Sequence, residues 1–162
     1  VQRHITADAA ECASLAAAFG LPGIASLTGD FILSEAPGQA SGIIDAELSL
    51  HARVTQICVV SLEPFESAVA ETARLRFLPV ARLPEDADLA ELASDGLEAP
   101  DEIPYAGDQI DLGAALAEQL ALALDPFPRK PGAELPANAG SAAGNPFAAL
   151  AARFGKPADG QG

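Results

Sequence analysis

The sequence has no methionine, no tryptophan and a single tyrosine in 162 residues. A core must therefore be built from Ala, Leu, Val, Ile and seven Phe. With Val1 in first place, an upstream segment is expected to have been removed or left out. Only Cys12 and Cys58 carry thiols, so far apart that a disulfide framework is excluded and no oxidising compartment is indicated. Base is scarce too: nine Lys and Arg stand against 23 Asp and Glu, a net charge of −14. That balance opposes non-specific nucleic-acid binding, whose affinity comes mainly from neutralising phosphates. Long apolar runs are missing as well. The best candidate, residues 12–29, is broken by Gly20, Pro22 and Gly23 and is preceded by Asp8 and Glu11. Neither a membrane span nor a signal peptide is expected. The reading is a cytoplasmic protein with no membrane partner.

What is present organises as one domain over residues 5–131. "ITADAAECASLAAAFG" reads as a helix capped by Thr6 and closed by Gly20, with Cys12, Leu15, Ala16 and Phe19 on its inner face. "IASLTGDFILSE" reads as the first strand. "IIDAELSLHARVTQI" shows the clearest alternation: Ala46, Leu48, Leu50, Ala52 and Val54 inward, Asp45, Glu47, Ser49, His51 and Arg53 outward. "FESAVAETARLRFLPV" continues it, with Leu75 and Phe77 inward and Arg74 and Arg76 outward, so the pair forms a long hairpin. Residues 85–102 hold eight carboxylates and no base; such a run repels itself and is expected to be a mobile loop. A second helix starts at Asp111 and stops at Pro126, its apolar stripe formed by Leu112, Leu116, Leu120, Ala123 and Leu124. Glu118 falls opposite that stripe, toward solvent or a partner. Residues 132–162 read as a Pro/Gly/Ala linker with a short terminal helix started at Asn145 and Pro146. The fold class is α+β: an antiparallel sheet with a long central hairpin against two helices.

The chemistry-bearing residues do not assemble into a known site. His4, Cys12, His51 and Cys58 have no ligand-pair spacing, so no metal is expected. By parity Cys58 joins the buried row, and its neighbours Ile57, Val59 and Val60 are expected to raise its pKa. It reads as an inert core thiol. No nucleophile elbow and no phosphate-binding loop occur, so no catalytic residue and no cofactor are assigned. A basic surface is the one local signal: Arg53, Arg74 and Arg76 share a face, and "PFPRKPG" adds Arg129 and Lys130.

Three segments together resemble one family. "ICVVSLEPFES", "DQIDLGAALAEQLALALDPFPRKPG" and "NPFAALAA" are similar to the cysteine-bearing hairpin, the helix and the C-terminal signature of the YceD-like proteins. Their form looks most like the alphaproteobacterial branch. The resemblance runs from about Ile5 to Leu150. Cys58, Leu62, Pro64 and Phe65 fall on the hairpin motif; Asp111, Leu112, Glu118, Gln119, Leu124 and Pro126 fall on the helix motif. Where many members carry a second cysteine at the hairpin, this chain has Ser61, a poor zinc ligand. What the resemblance implies is a non-enzymatic factor supporting accumulation or assembly of large-subunit ribosomal RNA by binding. Its implied partner is that RNA or a pre-ribosomal particle, directly or through a basic ribosomal protein, with no DNA. The alternative is an acidic protein-binding module for basic ribosomal or assembly proteins, with only an indirect effect on RNA.

Overall fold

The computed structural model describes residues 1–35, 42–82 and 99–135. Five strands form one sheet in sequence order: β1 (Gln2–Thr6), β2 (Gly23–Glu35), β3 (Ile44–Ile57), β4 (Pro64–Pro79) and β5 (Asp101–Tyr105). β1 to β4 are mutually antiparallel, but β5 runs parallel to β4, pairing Leu75 with Asp101 through Pro79 with Tyr105. The sheet is therefore mixed, not antiparallel throughout. The expected acidic loop ends in strand, because Asp101 and Glu102 open β5. The rest of that loop up to residue 98, and the tail from 136 onward, lie outside the described residues.

The alternation in β3 produces the expected two faces. Ala46, Leu48, Leu50, Ala52 and Val54 are buried while the residues between them reach toward solvent. On β2 the buried row is Leu27 and Phe31; a bulge between Ile24 and Ser26 lets Ile24 join it despite its parity. Two helices cover this face: α1 (Ala9–Phe19) lies on β2, and α2 (Leu112–Ala123) on β3 and β4. Cys12 and Ala16 of α1 and Ala115, Leu116 and Leu120 of α2 complete the core.

β1 was not expected, and it takes Ile5 and Thr6 from the start of the predicted helix. Residues 2–6 pair with β2, so the helix starts later and Asp8, not Thr6, caps it. Asp8 accepts from the backbone of Ala10 and Glu11, and Glu11 reaches back to the Asp8 N–H, a full capping box. Gly20 ends the helix at φ +67°, as its position suggested. α2 sits close because Gly29 leaves room: a Cβ there would lie 2.6 Å from a methyl of the buried Leu116. The other end of the sheet is closed by Tyr105, whose hydroxyl donates to the Gly42 carbonyl at 2.6 Å.

Candidate functional site

The β3–β4 hairpin and the segment leaving α2 meet at one end of the molecule. β3 ends at Ile57, and the chain turns back through residues 58–63. Cys58 N–H donates to the Glu63 carbonyl and Leu62 N–H to the Cys58 carbonyl, both at 2.9 Å. α2 ends at Ala123, where Leu124 turns to extended backbone two residues before Pro126. The released chain runs beside the hairpin tip: Val59 N–H donates to the Pro128 carbonyl at 2.9 Å, and Lys130 Nζ meets Glu63 at 2.9 Å. Beneath this seam lies the buried Gln56. Its amide nitrogen donates to the Asp125 carbonyl at 3.2 Å, and its oxygen accepts from Ser67 Oγ at 2.9 Å. Parity alone could have found Gln56, the polar residue that continues the inward row Ala52, Val54.

Cys58 is the hub of that seam. It is fully buried, as expected, but its thiol does not behave as its apolar neighbours suggested. The Ser61 side chain and N–H hydrogen-bond its sulfur, joined by the N–H groups of Lys130 and Val60. Those donors outweigh burial and lower the pKa to about 6. The sulfur accepts hydrogen bonds from two loops at once. The Ser61 hydroxyl also favours the Glu63 carboxylate, which Lys130 already holds below its ordinary range. With one proton to give, Ser61 serves one acceptor at a time.

What this clasp displays is apolar, with Arg129 and Lys130 set among the carboxylates of Glu63 and Asp125. Leu62 adopts φ +59°, a conformation that costs a bulky side chain energy, and is 75% exposed. Phe127 is 71% exposed, its N–H held by the Asp125 carboxylate at 2.8 Å. Val59 and Ile57 are partly exposed beside them, and Arg129 and Lys130 reach solvent. Of the motif residues, Cys58 and Phe65 turn inward, Pro64 opens β4, and Leu124 packs against the core. In α2, Asp111 caps through Ala114 N–H at 2.8 Å and Leu112 packs on the core. Glu118 is exposed, while Gln119 is buried and donates to Asp101 at 3.2 Å, tying α2 to β5.

The arginines of the open sheet face are placed differently. Arg53, Arg74 and Arg76 do share that face, but Arg53 lies six residues along the hairpin, about 20 Å away. Arg76 Nε meets Asp45 at 2.7 Å, half-buried, and Arg53 meets Glu66 at 3.2 Å. Arg74 stands across the ladder from Glu47. Around the Arg74–Arg76 end lies a cavity of about 390 Å³ lined by Asp45 and Glu47 of β3 and, across the ladder from them, Arg76 and Arg74 of β4. The surface there is mixed in sign.

Beside it, the register produces a chain of contacts that spacing could not reveal. His4 Nδ1 and Asp30 are 2.7 Å apart and His4 Nε2 and Thr6 Oγ 3.0 Å. The connectivity is that of a nucleophile, base and orienting acid. Both His4 and Asp30 are well solvated, so the preorganised low-dielectric setting that such groups need is missing there. The network pins β1 to β2. Among the described residues no group of three or more His, Cys, Asp or Glu could hold a metal, and no helix is long and apolar enough to cross a membrane.

Residues 46–152 match the family model for large ribosomal RNA subunit accumulation protein YceD. The chain belongs to the YceD family. The matched region includes the hairpin tip, β4, β5 and α2, and with them every motif residue named above. No curated protein and no solved structure matches the chain. The YceD family's role is in accumulation of the large-subunit ribosomal RNA.

Proposed function

We propose that this protein supports accumulation or assembly of large-subunit ribosomal RNA in the cytoplasm by binding and not by catalysis. The observation that carries this reading is the clasped tip, which holds Leu62 and Phe127 in solvent beside Arg129 and Lys130. An exposed aromatic next to cations suits an unstacked base and its phosphates, the usual target of RNA recognition outside helices. The rest of the chain is acidic, so contact with RNA is confined to such a local surface.

The test is crosslinking in cells, with recovery of both RNA and protein partners, for the wild type and for Phe127→Ala combined with Arg129→Glu. The tip reading expects large-subunit precursor RNA in the wild type and its loss in the variant. Charge reversal at Arg74 and Arg76 is the comparison arm: if that abolishes RNA recovery while the tip variant does not, the open face is the contact. Undiminished recovery in both variants overturns direct RNA contact.

One set of contacts favours the second reading, an acidic module for basic ribosomal or assembly proteins. Arg53, Arg76 and Lys130 each already meet a carboxylate, which leaves less positive charge for phosphates. That reading expects crosslinked proteins without RNA.

A further inference from the structure

β4 is long and only partly flanked. β5 pairs with it from Leu75 onward, so among the described residues no strand lies along its outer edge from Pro64 to Arg74. The pairing with β3 on the other side is continuous from Ile57↔Pro64 to Ile44↔Phe77, with no bulge to twist the edge away. The stretch 65–73, "FESAVAETA", contains no Lys and no Pro, two residues by which natural edges are blunted.

The hydrogen-bond phase of this edge is readable. Cys58 N–H bonds to Glu63 O, and stepping by two places Phe65, Ser67, Val69 and Glu71 in the pairs bonded to β3. Ala68, Ala70 and Thr72 therefore direct their backbone N–H and C=O groups outward. Alongside runs a groove of about 330 Å³, with Ser67, Val69 and Glu71 on one wall and Ala123, Asp125 and Arg129 on the other.

From this we infer that the outer edge of β4, unpaired among the described residues, takes an extended, basic peptide segment of a protein partner as an added strand. Donors and acceptors repeating at the strand spacing match a peptide backbone, not a nucleic acid. The groove walls carry Glu71 and Asp125 against Arg129, and the chain as a whole carries −14, so complementary charge on the partner is positive. A second copy would bring two strongly acidic molecules together. The partner's alternate side chains would enter this groove, apolar ones over Ser67 and Val69 and a lysine or arginine at Glu71 and Asp125. This inference does not rest on the RNA reading at the tip, with which it shares Arg129.

The experiment titrates the full chain, with backbone amide shifts recorded, using an acetylated, amidated peptide that carries valine and lysine in turn at every second position, with threonine between them. Expected are shifts centred on Ala68, Ala70 and Thr72, and an affinity that weakens with salt. Ala70→Pro removes an outward N–H without touching the β3 ladder and should weaken binding about tenfold or more. As a check independent of that variant's folding, the same peptide N-methylated at alternate residues should fail to bind the wild type. Phe127→Ala should leave the affinity unchanged, so failure at the tip and failure at the edge are distinguishable. The proposal is overturned by absence of binding, by equal binding of a glutamate–valine peptide, or by an RNA oligonucleotide producing the same edge shifts. Self-association that Ala70→Pro abolishes would also overturn it, by assigning the edge to a second copy.

Discussion

Cys12 and Cys58 are both buried and both unpaired, yet their thiols are pushed in opposite directions. Cys12 sits in α1, with the Ala7 carbonyl 3.9 Å from its sulfur. Burial raises its pKa first, and the carboxylates of Asp8 and Glu11 add to the rise. Cys58 has just as little solvent but faces N–H and O–H donors, which lower it to about 6. The pair shows that burial does not by itself fix a thiol's charge; the dipoles aimed at the sulfur decide it. One cysteine fills space, and the other is the acceptor around which two loops close.

The largest expected effect breaks that contrast from a distance. Gly29→Ala drives a methyl into the side chain of Leu116 and should cost about 1–3 kcal/mol by overpacking. Because the chain leaving α2 supplies the Lys130 N–H, shifting the helix should also raise the Cys58 midpoint while leaving Cys12 where it is. Thermal unfolding and thiolate absorbance measure the two effects; a Cys58 midpoint that stays put would separate α2 from the clasp.

Next is the contrast itself. In Cys12→Ala, thiolate absorbance should titrate with a midpoint near the value of about 6. In Cys58→Ala, the remaining thiol should titrate above the ordinary value of 9.0. Coincident midpoints would remove the distinction.

Stability should carry the same signature. The folded-state pKa of Cys58 lies below that of the unfolded chain, so its contribution is complete above about pH 9 and is lost as pH falls toward about 6. Cys12 is raised, so its contribution is complete below its ordinary value and is lost as pH rises through the folded one. Denaturant midpoints measured across this range should lose the lower slope in Cys58→Ala and the upper one in Cys12→Ala.

The smallest effect is expected from Ser61→Ala. It removes the largest single cause of the lowered pKa but leaves three backbone donors in place, so the midpoint rises without reaching the ordinary value. Return of the full shift would mean that the N–H groups contribute nothing.

The same loops show how far the sequence could be read. Burial of Cys58 follows from parity with Leu50, Ala52 and Val54. Its charge does not, because one donor comes from residue 130 and the others from backbone in a turn whose shape apolar neighbours do not reveal. The long hairpin was legible because each inward residue in β3 is buried. β1 and β5 were not: each is five residues long and carries at most two partly buried side chains, too few for a period. The helix stripe was visible, and so was the outward Glu118. Pairing of Arg53 with Glu66 and of Arg76 with Asp45 needed the register, which fixes which charges face each other across strands. The left-handed Leu62 carried no sequence signal, since glycine and asparagine are the usual markers of that conformation.

The parallel pairing of β5 has a consequence for the acidic stretch that precedes it. β4 ends at Pro79 and β5 begins beside Leu75, so the two ends to be joined, Pro79 and Asp101, lie four register steps apart along the sheet. The separation of those two ends is set by the parallel register, whatever charges lie between them in sequence. Lengthening a tether costs little closure entropy, whereas one too short to span strips β5 from the sheet and leaves Gln119 without Asp101. Its carboxylates can be rewritten one by one, but excising the segment would test the connection and not the charge.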